Sequence, residues 1–262
     1  MRRRQIGQVS ALWRYPVKSM RGEPLSEAMI TENGTLGDRA WALRELKYGG
    51  IMSARTWAAM LALRARYRDE PGASASGTVV IDLPDGNSLR ADDPAAAQVL
   101  SSLFRREVKL EQIRAARLSP EELEAVVTGT MFPPNRDFFD EDVIHILATG
   151  TLAHLRRLHG PSDFDPRRFR ANICVDTGDD GASGFVEDQW LGGMLEIGAT
   201  ARIAGIRPAL RCAMTTHPQW NLPHDPAILR TAWEHHEAYV GVFASVAMPG
   251  TVGIGDPVML TS

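Results

Sequence analysis

The sequence predicts a mainly β protein with a few helices. Short segments in which apolar and polar residues alternate recur along the chain, and clusters of Gly, Pro, Asn and Asp separate them. Signals for a helix start occur at only a few places. With 262 residues, the chain can bury a substantial core. We therefore expect two β-rich domains of barrel or sandwich type.

Strands dominate the first half of the chain. Alternation predicts a strand at Ile6–Arg14, another at Leu25–Ile30 and, after an Asn-Gly turn, a third at Arg39–Leu43. The segments Val79–Asp82 and Ser88–Arg90 flank an Asp-Gly pair, which predicts a hairpin. These five segments make the first half β-rich.

Helices are predicted where a capping residue precedes an apolar repeat. Ser, Thr and Asp side chains accept hydrogen bonds from the free N–H groups of a first turn, and proline fits the first helical position. Proline follows three of the four candidates. The predicted capping residues are Asp93, Ser119, Thr149 and Asp225.

The second half continues with strands around two of these helices. The predicted strands are Val143–Leu147, Asn172–Asp176, Leu195–Ile203, Tyr239–Val246 and Pro257–Leu260. A turn is predicted at Gly205–Pro208. The segment Gly129–Asp140 combines two prolines with adjacent charges, which favours a linker. We place the domain boundary there, which gives domains at residues 1–128 and 129–262.

Composition excludes several classes of protein. The formal net charge of -3 argues against a general nucleic-acid binder, which usually carries a basic excess. No apolar run is long enough to cross a bilayer, so we expect no membrane attachment. The two cysteines, Cys174 and Cys212, lie far apart, which argues against a disulfide framework. The reducing cytoplasm is therefore the expected compartment.

Cys212 is the strongest candidate for a reactive or metal-ligating residue. Arg211 is adjacent to it, and neighbouring positive charge favours the thiolate, the form that binds soft metals. A single cysteine cannot form a zinc site or an iron–sulfur cluster, so a bound metal must bring most of its ligands. The alternative is that Cys212 is a small buried apolar residue. Apolar neighbours predict that role for Cys174.

Several polar residues could bind an anion. Lys18 and Ser19 follow a proline-bearing bend, where an ammonium and a hydroxyl can face a phosphate. Arg39 could add a guanidinium, or could only pair with the preceding aspartate. Arg170 stands at a predicted strand start and can reach an anion, while Asn172 can satisfy backbone groups. The alternative for Lys18 is a solvated surface side chain.

The histidines do not form a metal site. His235 and His236 are sequential, so on a helix they point in different directions. His217 and His224 lie in a proline-rich loop that could border a substrate entrance or could simply be exposed. The sequence also lacks the Walker, GxGxxG, GxSxG and HExxH motifs, which disfavours nucleotide hydrolases, Rossmann dehydrogenases, α/β-hydrolases and zincins.

These segments resemble a known family. Leu12–Ser19 and Asp38–Trp41 are similar to the β-domain that precedes MOSC domains. Five further segments resemble the MOSC domain itself: Phe169–Asn172, Glu187–Trp190, Leu195–Gly198, Arg211-Cys212 and Pro249–Val258. The pattern covers nearly the whole chain. It is most similar to the branch that holds the mitochondrial amidoxime-reducing component and bacterial YcbX-like proteins.

The resemblance implies a fold and a cofactor. Family members join a C-terminal MOSC β-barrel to a β-rich N-terminal domain and hold the molybdenum cofactor, a molybdopterin with its metal, between them. The family's cysteine corresponds to Cys212, which is then the catalytic residue and the direct molybdenum ligand. Phe243 stands where relatives carry a tyrosine. The residues that would hold the pterin and its phosphate are Lys18, Ser19, Arg39, Arg170, Asn172 and Arg211, and we add Thr151 from the helix predicted after Thr149.

The resemblance also implies an activity. The expected reaction is the two-electron reduction of small N-hydroxylated or other N-oxygenated compounds, without pyridoxal phosphate. Electrons would come from a separate flavin or iron–sulfur reductase. The cofactor carries the redox step, and the protein supplies orientation and electrostatics. The alternative is a sulfur-carrier or cofactor-carrier protein that uses Cys212.

Overall fold

A computed structural model describes residues 2–72, 77–112, 144–178 and 184–262. In these ranges the chain is mainly β, as the sequence predicts. The strands are β1 (Arg3–Arg14), β2 (Glu23–Leu25), β3 (Glu27–Thr31), β4 (Gly34–Thr35), β5 (Trp41–Glu45), β6 (Arg64–Tyr67), β7 (Val79–Asp82), β8 (Ser88–Arg90), β9 (Val108–Gln112), β10 (Ile144–Ala148), β11 (Ile173–Asp176), β12 (Met194–Ile197), β13 (Ala201–Leu210), β14 (Tyr239–Met248), β15 (Gly250–Gly253) and β16 (Pro257–Thr261).

Helices are short and few in the part of the chain that the structure describes. The α-helices are α1 (Pro94–Phe104), α2 (Thr149–Leu158), α3 (Pro166–Phe169) and α4 (Ala227–His236), and the 3-10 helices are Ala58–Ala62, Val186–Trp190 and Ala213–Thr216. The sequence signals explain two starts. Asp93 accepts a 2.8 Å hydrogen bond from the N–H of Ala95, and Asp225 accepts one of 2.9 Å from that of Ala227.

The C-terminal half forms a closed β-barrel that includes the first strand of the chain. Seven of the described strands follow the order β11-β10-β14-β13-β12-β16-β1, and β1 also pairs with β11, which closes the barrel. Leu12 of β1 lies opposite Ile173 of β11. Inward side chains such as Val9, Ile146 and Val258 form a core that is almost completely buried. Alternate residues of each strand face this core, as expected for a barrel.

Strands β5 to β9 of the first half pack around a second core. A sheet of β6, β7 and β8 and a pair of β5 and β9 surround it together with α1. Leu43, Leu61 and Leu100 are fully buried there. The hairpin that the Asp-Gly pair predicts is present, since β7 pairs with β8 in antiparallel register. A third cluster, which includes Leu147, Phe169 and Ile228, lies among α2, α4 and the barrel.

Three local predictions were wrong. The segment predicted as one strand, Leu195–Ile203, is two strands joined by a turn, because Gly198 has a φ of 59° and redirects the chain. Gly205–Pro208 is not a free turn; it lies inside β13, where the pairing with β14 shifts register. Thr149 does not cap α2. It is the first helical residue, and its hydroxyl donates to Asp176.

Other predictions fall outside the described residues. The helix start at Ser119 and the linker at Gly129–Asp140 both lie in residues 113–143. The division into residues 1–128 and 129–262 therefore stays a prediction. None of the helices in the described ranges is both long and apolar enough to cross a membrane.

Candidate functional site

A cavity of about 250 Å³ lies where the barrel meets the second core. Residues from segments almost two hundred positions apart in sequence line it. They are Lys18, Ser19, Arg39, Ser53, His145, Phe169, Arg170, Leu210, Arg211, Cys212, Met214, Thr215 and Phe243. Six of the eight residues assigned to a site from the sequence, Lys18, Ser19, Arg39, Arg170, Arg211 and Cys212, therefore share one cavity.

Three of these residues adopt an unusual backbone conformation. Ser19, Arg39 and Arg170 have φ angles of 66°, 49° and 58°, in the left-handed region that non-glycine residues rarely occupy. Hydrogen bonds hold the segments in place: the N–H of Lys18 donates to Trp41, and that of Arg39 donates to Tyr15. Such strained positions cluster at functional sites, because surrounding structure must enforce them.

Asn172 supports the cavity without lining it. Its Oδ1 accepts hydrogen bonds from Nη1 of Arg39, at 3.3 Å, and from the N–H of His145, at 3.2 Å. Its Nδ2 donates to the carbonyl of Trp13. The side chain is 1% exposed. Asn172 thus links β1, β10 and Arg39, and it acts on the cavity by positioning its walls.

The cavity is lined by four cationic side chains, of which Arg39 also pairs with the preceding Asp38. Lys18, Arg39, Arg170 and Arg211 all line it, and among the described residues no carboxylate does so. Burial, followed by repulsion from Arg39, lowers the pKa of the Arg170 guanidinium to about 10. Cζ of Arg170 lies 4.1 Å from the Tyr15 ring centroid, and the same ring contacts Arg39. Crowded positive charge of this kind favours the binding of an anion.

Cys212 lies at the end of β13, where the 3-10 helix Ala213–Thr216 begins. Its carbonyl accepts hydrogen bonds from the N–H and the hydroxyl of Thr215, which fixes the backbone. The thiol is free and partly exposed at the cavity wall. Cys174 is also free, but burial raises the pKa of its thiol to about 12, which confirms it as a core residue. The two cysteines therefore have different environments.

His145 is a titratable cavity residue that the sequence did not indicate. It is 2% exposed, and its Nε2 lies 3.4 Å from Nη1 of Arg211 and 3.4 Å from the carbonyl of Val240. Burial, then repulsion from Arg211 and Arg39, holds the pKa of its imidazole well below its ordinary value. A lone histidine within an apolar run gives no spacing signal, so the pairing of β10 was needed to find it.

Thr151 lies outside this group. It is fully buried in α2; its hydroxyl donates to Glu187 and accepts a hydrogen bond from the N–H of Val186. Both hydrogen bonds fasten α2 to the 3-10 helix Val186–Trp190. The surroundings of Thr151 therefore indicate a role in packing this helix. His217 and His224 stack on each other with ring centroids 6.1 Å apart, and neither is among the residues that line the cavity.

A metal bound here would need ligands from elsewhere. Among the described residues, no three His, Cys, Asp or Glu side chains are grouped so that they could hold a metal ion. Cys212 offers one sulfur, and the four cationic side chains offer charge and hydrogen-bond donors. The donor set suits an anionic organic group that carries its own metal.

Comparison with known proteins defines the family. Residues 6–118 match the MOSC N-terminal beta barrel domain, and residues 133–259 match the MOSC domain. The chain belongs to the MOSC-domain proteins that carry this N-terminal domain. It is 26% identical over 294 residues to human mitochondrial amidoxime-reducing component 1, which covers 98% of this chain and 83% of that protein.

Two further relatives are more limited in extent or similarity. Human mitochondrial amidoxime reducing component 2 is 43% identical over 58 residues, which span 21% of this chain and 17% of that protein. The crystal structure of the YUAD protein from Bacillus subtilis has a TM-score of 0.49 and 13% identity, covering 99% of this chain and 97% of that one.

Proposed function

We propose that this protein is a molybdenum-cofactor-dependent reductase of small N-hydroxylated or related N-oxygenated compounds. A separate flavin or iron–sulfur protein supplies the electrons. The observation that carries the proposal is the convergence of one accessible thiol, Cys212, with four cationic side chains on a single cavity. The similarity to human amidoxime-reducing component 1 supports the reaction class.

The cavity residues fit a phosphorylated pterin that carries molybdenum. Lys18, Arg39 and Arg170 offer an ammonium and two guanidinium groups to the phosphate and the pterin, and Ser19 adds a hydroxyl. Cys212 offers the soft sulfur ligand that molybdenum accepts from a protein. When bound, the cofactor supplies two-electron redox chemistry.

Four apolar residues of the cavity orient the substrate. Phe169, Leu210, Met214 and Phe243 form apolar walls beside Cys212. A small N-hydroxylated compound can rest its carbon skeleton on these walls while its polar N–O group faces the cationic side. The reduction consumes two electrons and two protons and converts an N–OH group into N–H with release of water.

Metal analysis combined with activity tests the proposal. We expect protein from a host that makes the cofactor to contain about one molybdenum per chain and to reduce benzamidoxime with reduced methyl viologen. The Cys212→Ala variant should lose the metal and the activity. Cys174→Ala is the matched control, since that thiol lies in the core. Full molybdenum content in Cys212→Ala would rule out this ligand.

The same experiment distinguishes the carrier alternative. A sulfur carrier would hold sulfane sulfur on Cys212, visible in the intact mass as one added sulfur atom, and would not reduce benzamidoxime. We also propose the reducing cytoplasm as the compartment, since Cys174 and Cys212 are both free.

A further inference from the structure

Trp220 stands at the tip of a tight turn and is displayed to solvent. Gln219 and Leu222 exchange two backbone hydrogen bonds, of 3.0 and 2.8 Å, so Trp220 and Asn221 form the tip. Trp220 has a φ of 54° and is 37% exposed. A bulky residue in the left-handed region is costly, and such strain persists where the surrounding structure enforces it, often at functional sites.

Three arginines from different parts of the chain surround the Trp220 ring. The Cζ atoms of Arg21, Arg64 and Arg167 lie 5.3, 5.9 and 5.0 Å from its centroid. Trp13 contacts the same ring edge-on, with centroids 5.8 Å apart. We call Trp220 and these three arginines the Trp220 patch. Exposed tryptophan together with arginine is the composition that dominates binding energy at protein interfaces.

The patch has more positive than negative charge. Arg167 pairs with Asp165 at 2.7 Å. Within the described ranges no carboxylate lies at ion-pair distance from Arg21 or Arg64. Burial, followed by repulsion from Arg64, lowers the pKa of Arg21. The patch is cationic although the chain as a whole has a formal charge of -3, so it can attract carboxylates selectively.

The patch lies close to the cavity. Arg21 follows the cavity residue Ser19 by two positions, and Arg167 precedes Arg170 by three. Since a residue spans at most about 3.6 Å, their Cα atoms lie within about 7 and 11 Å of the cavity segments. Trp220 follows Thr215 by five positions, which sets a limit of about 18 Å. A redox protein seated on the patch would therefore be near the cofactor that the cavity is proposed to hold.

We propose that the Trp220 patch is the docking site of an acidic electron-donor protein. This inference rests on the proposed function, which requires a separate donor. Carboxylates of the donor pair with Arg21 and Arg64, and an apolar contact with Trp220 fixes the orientation. The arginines already occupy the surroundings of the indole, which argues against a stacked nucleotide base and favours a surface that carries carboxylates.

An acidic plant-type [2Fe–2S] ferredoxin is a suitable probe. Titration of the holoprotein with oxidised ferredoxin should show binding that weakens as salt increases. Trp220→Ala and the double variant Arg21→Gln/Arg64→Gln should each weaken binding and ferredoxin-supported kcat/KM about tenfold or more. The rate with reduced methyl viologen should not change, because no patch residue lines the cavity. Ferredoxin whose carboxylates have been converted to neutral amides should bind more weakly and support a lower kcat/KM.

Lys47 and Tyr48 provide a matched control. They form another exposed cation–aromatic pair, with Nζ 5.0 Å from the ring centroid, on the turn after β5. Lys47→Gln/Tyr48→Ala should leave ferredoxin binding intact. Thermal unfolding would show whether the patch variants fold. The salt dependence of ferredoxin binding is measured on the wild-type protein, so it tests the docking site even if a variant does not fold. Wild-type protein that fails to bind ferredoxin, or patch variants that bind it as tightly, would overturn the docking site. If wild-type protein does not reduce benzamidoxime with reduced methyl viologen, the proposed function itself is overturned.

Discussion

Gly241 and His145 meet at the wall of the cavity. Gly241 has a φ of 77°, and a Cβ atom built on it would lie 2.5 Å from Nε2 of His145 and 2.7 Å from the carbonyl oxygen of Ile146. Only glycine therefore lets β14 pass this close to β10. The same Nε2 atom lies 3.4 Å from Nη1 of Arg211.

Replacing this glycine should be costly. We expect Gly241→Ala to lower the free energy of unfolding by about 2–4 kcal/mol, because strain in the left-handed region and overpacking against backbone add together. Urea denaturation would measure the loss. Gly86→Ala is the control, since Gly86 has a φ of 88° but open space around it, and it should lose only about 1 kcal/mol. Equal losses in the two variants would contradict the close packing.

Site residues differed in how far the sequence revealed them. Cys212, Lys18 and Arg39 stand in local motifs whose residue types already indicate metal and anion binding. His145 stands in no motif, and its role depends on strand pairing that brings it to Arg211. Thr151 was assigned to the cofactor although nothing local separates a cofactor contact from a buried hydroxyl that fastens a helix.

At the scale of single elements, strong local signals predicted structure well. The Asp93-Pro94 start of α1 and the Asp-Gly hairpin are specified by neighbouring residues, so the sequence sufficed. The turn predicted at Gly205–Pro208 ended β13 too early, since the strand continues to Leu210. Gly205, with a φ of 63°, and Pro208 are turn residues by type, yet register shifts in the pairing with β14 accommodate both inside a strand.

The cap of α1 gives a direct prediction. Asp93→Ala should reduce the free energy of unfolding by about 1 kcal/mol, because the N–H of Ala95 loses its side-chain acceptor. Chemical denaturation of the pure variant would measure this. Asp92→Ala removes a half-exposed carboxylate that only pairs with Arg90, and it should have a smaller effect. A larger loss in Asp92→Ala would contradict the capping role.

At the scale of the whole molecule, the barrel depends on a strand from the start of the chain. β1 pairs with both β11 and β16, so the segment that carries Lys18 and Ser19 leaves the barrel beside the end of β13 and Cys212. Family resemblance implied a site between two domains. The closure by β1 could not be read from local pattern, because strand pairing between distant segments leaves no periodic signal.

Two buried groups should give stability opposite dependences on pH. His145 has a pKa held below its ordinary 6.5, so the unfolded chain binds its proton first, and stability falls as pH drops below about 6.5. Burial raises the pKa of Glu187 from 4.5 to about 7, so its contribution is present below pH 4.5 and is lost as pH rises to about 7. Each slope is at most about 1.4 kcal/mol per pH unit.

Single variants should separate these slopes. In His145→Gln, the free energy of unfolding should fall as pH rises from about 5 to 7, since only Glu187 remains. In Glu187→Gln, it should rise with pH from about 5 to 6.5. Urea denaturation at several pH values would measure both. The same slope in the two variants would show that these groups do not titrate as their burial requires.

The ligand role of Cys212 is tested most directly by X-ray absorption at the molybdenum K-edge. Unlike alanine, serine offers an oxygen that can take the ligand position of the thiolate, so the Cys212→Ser variant can retain the metal. Wild-type protein and this variant, each loaded with cofactor, would be compared for the number of sulfur atoms around the metal. We predict one sulfur fewer in Cys212→Ser. An unchanged sulfur count, with molybdenum bound in both proteins, would contradict the assignment of Cys212 as the protein ligand.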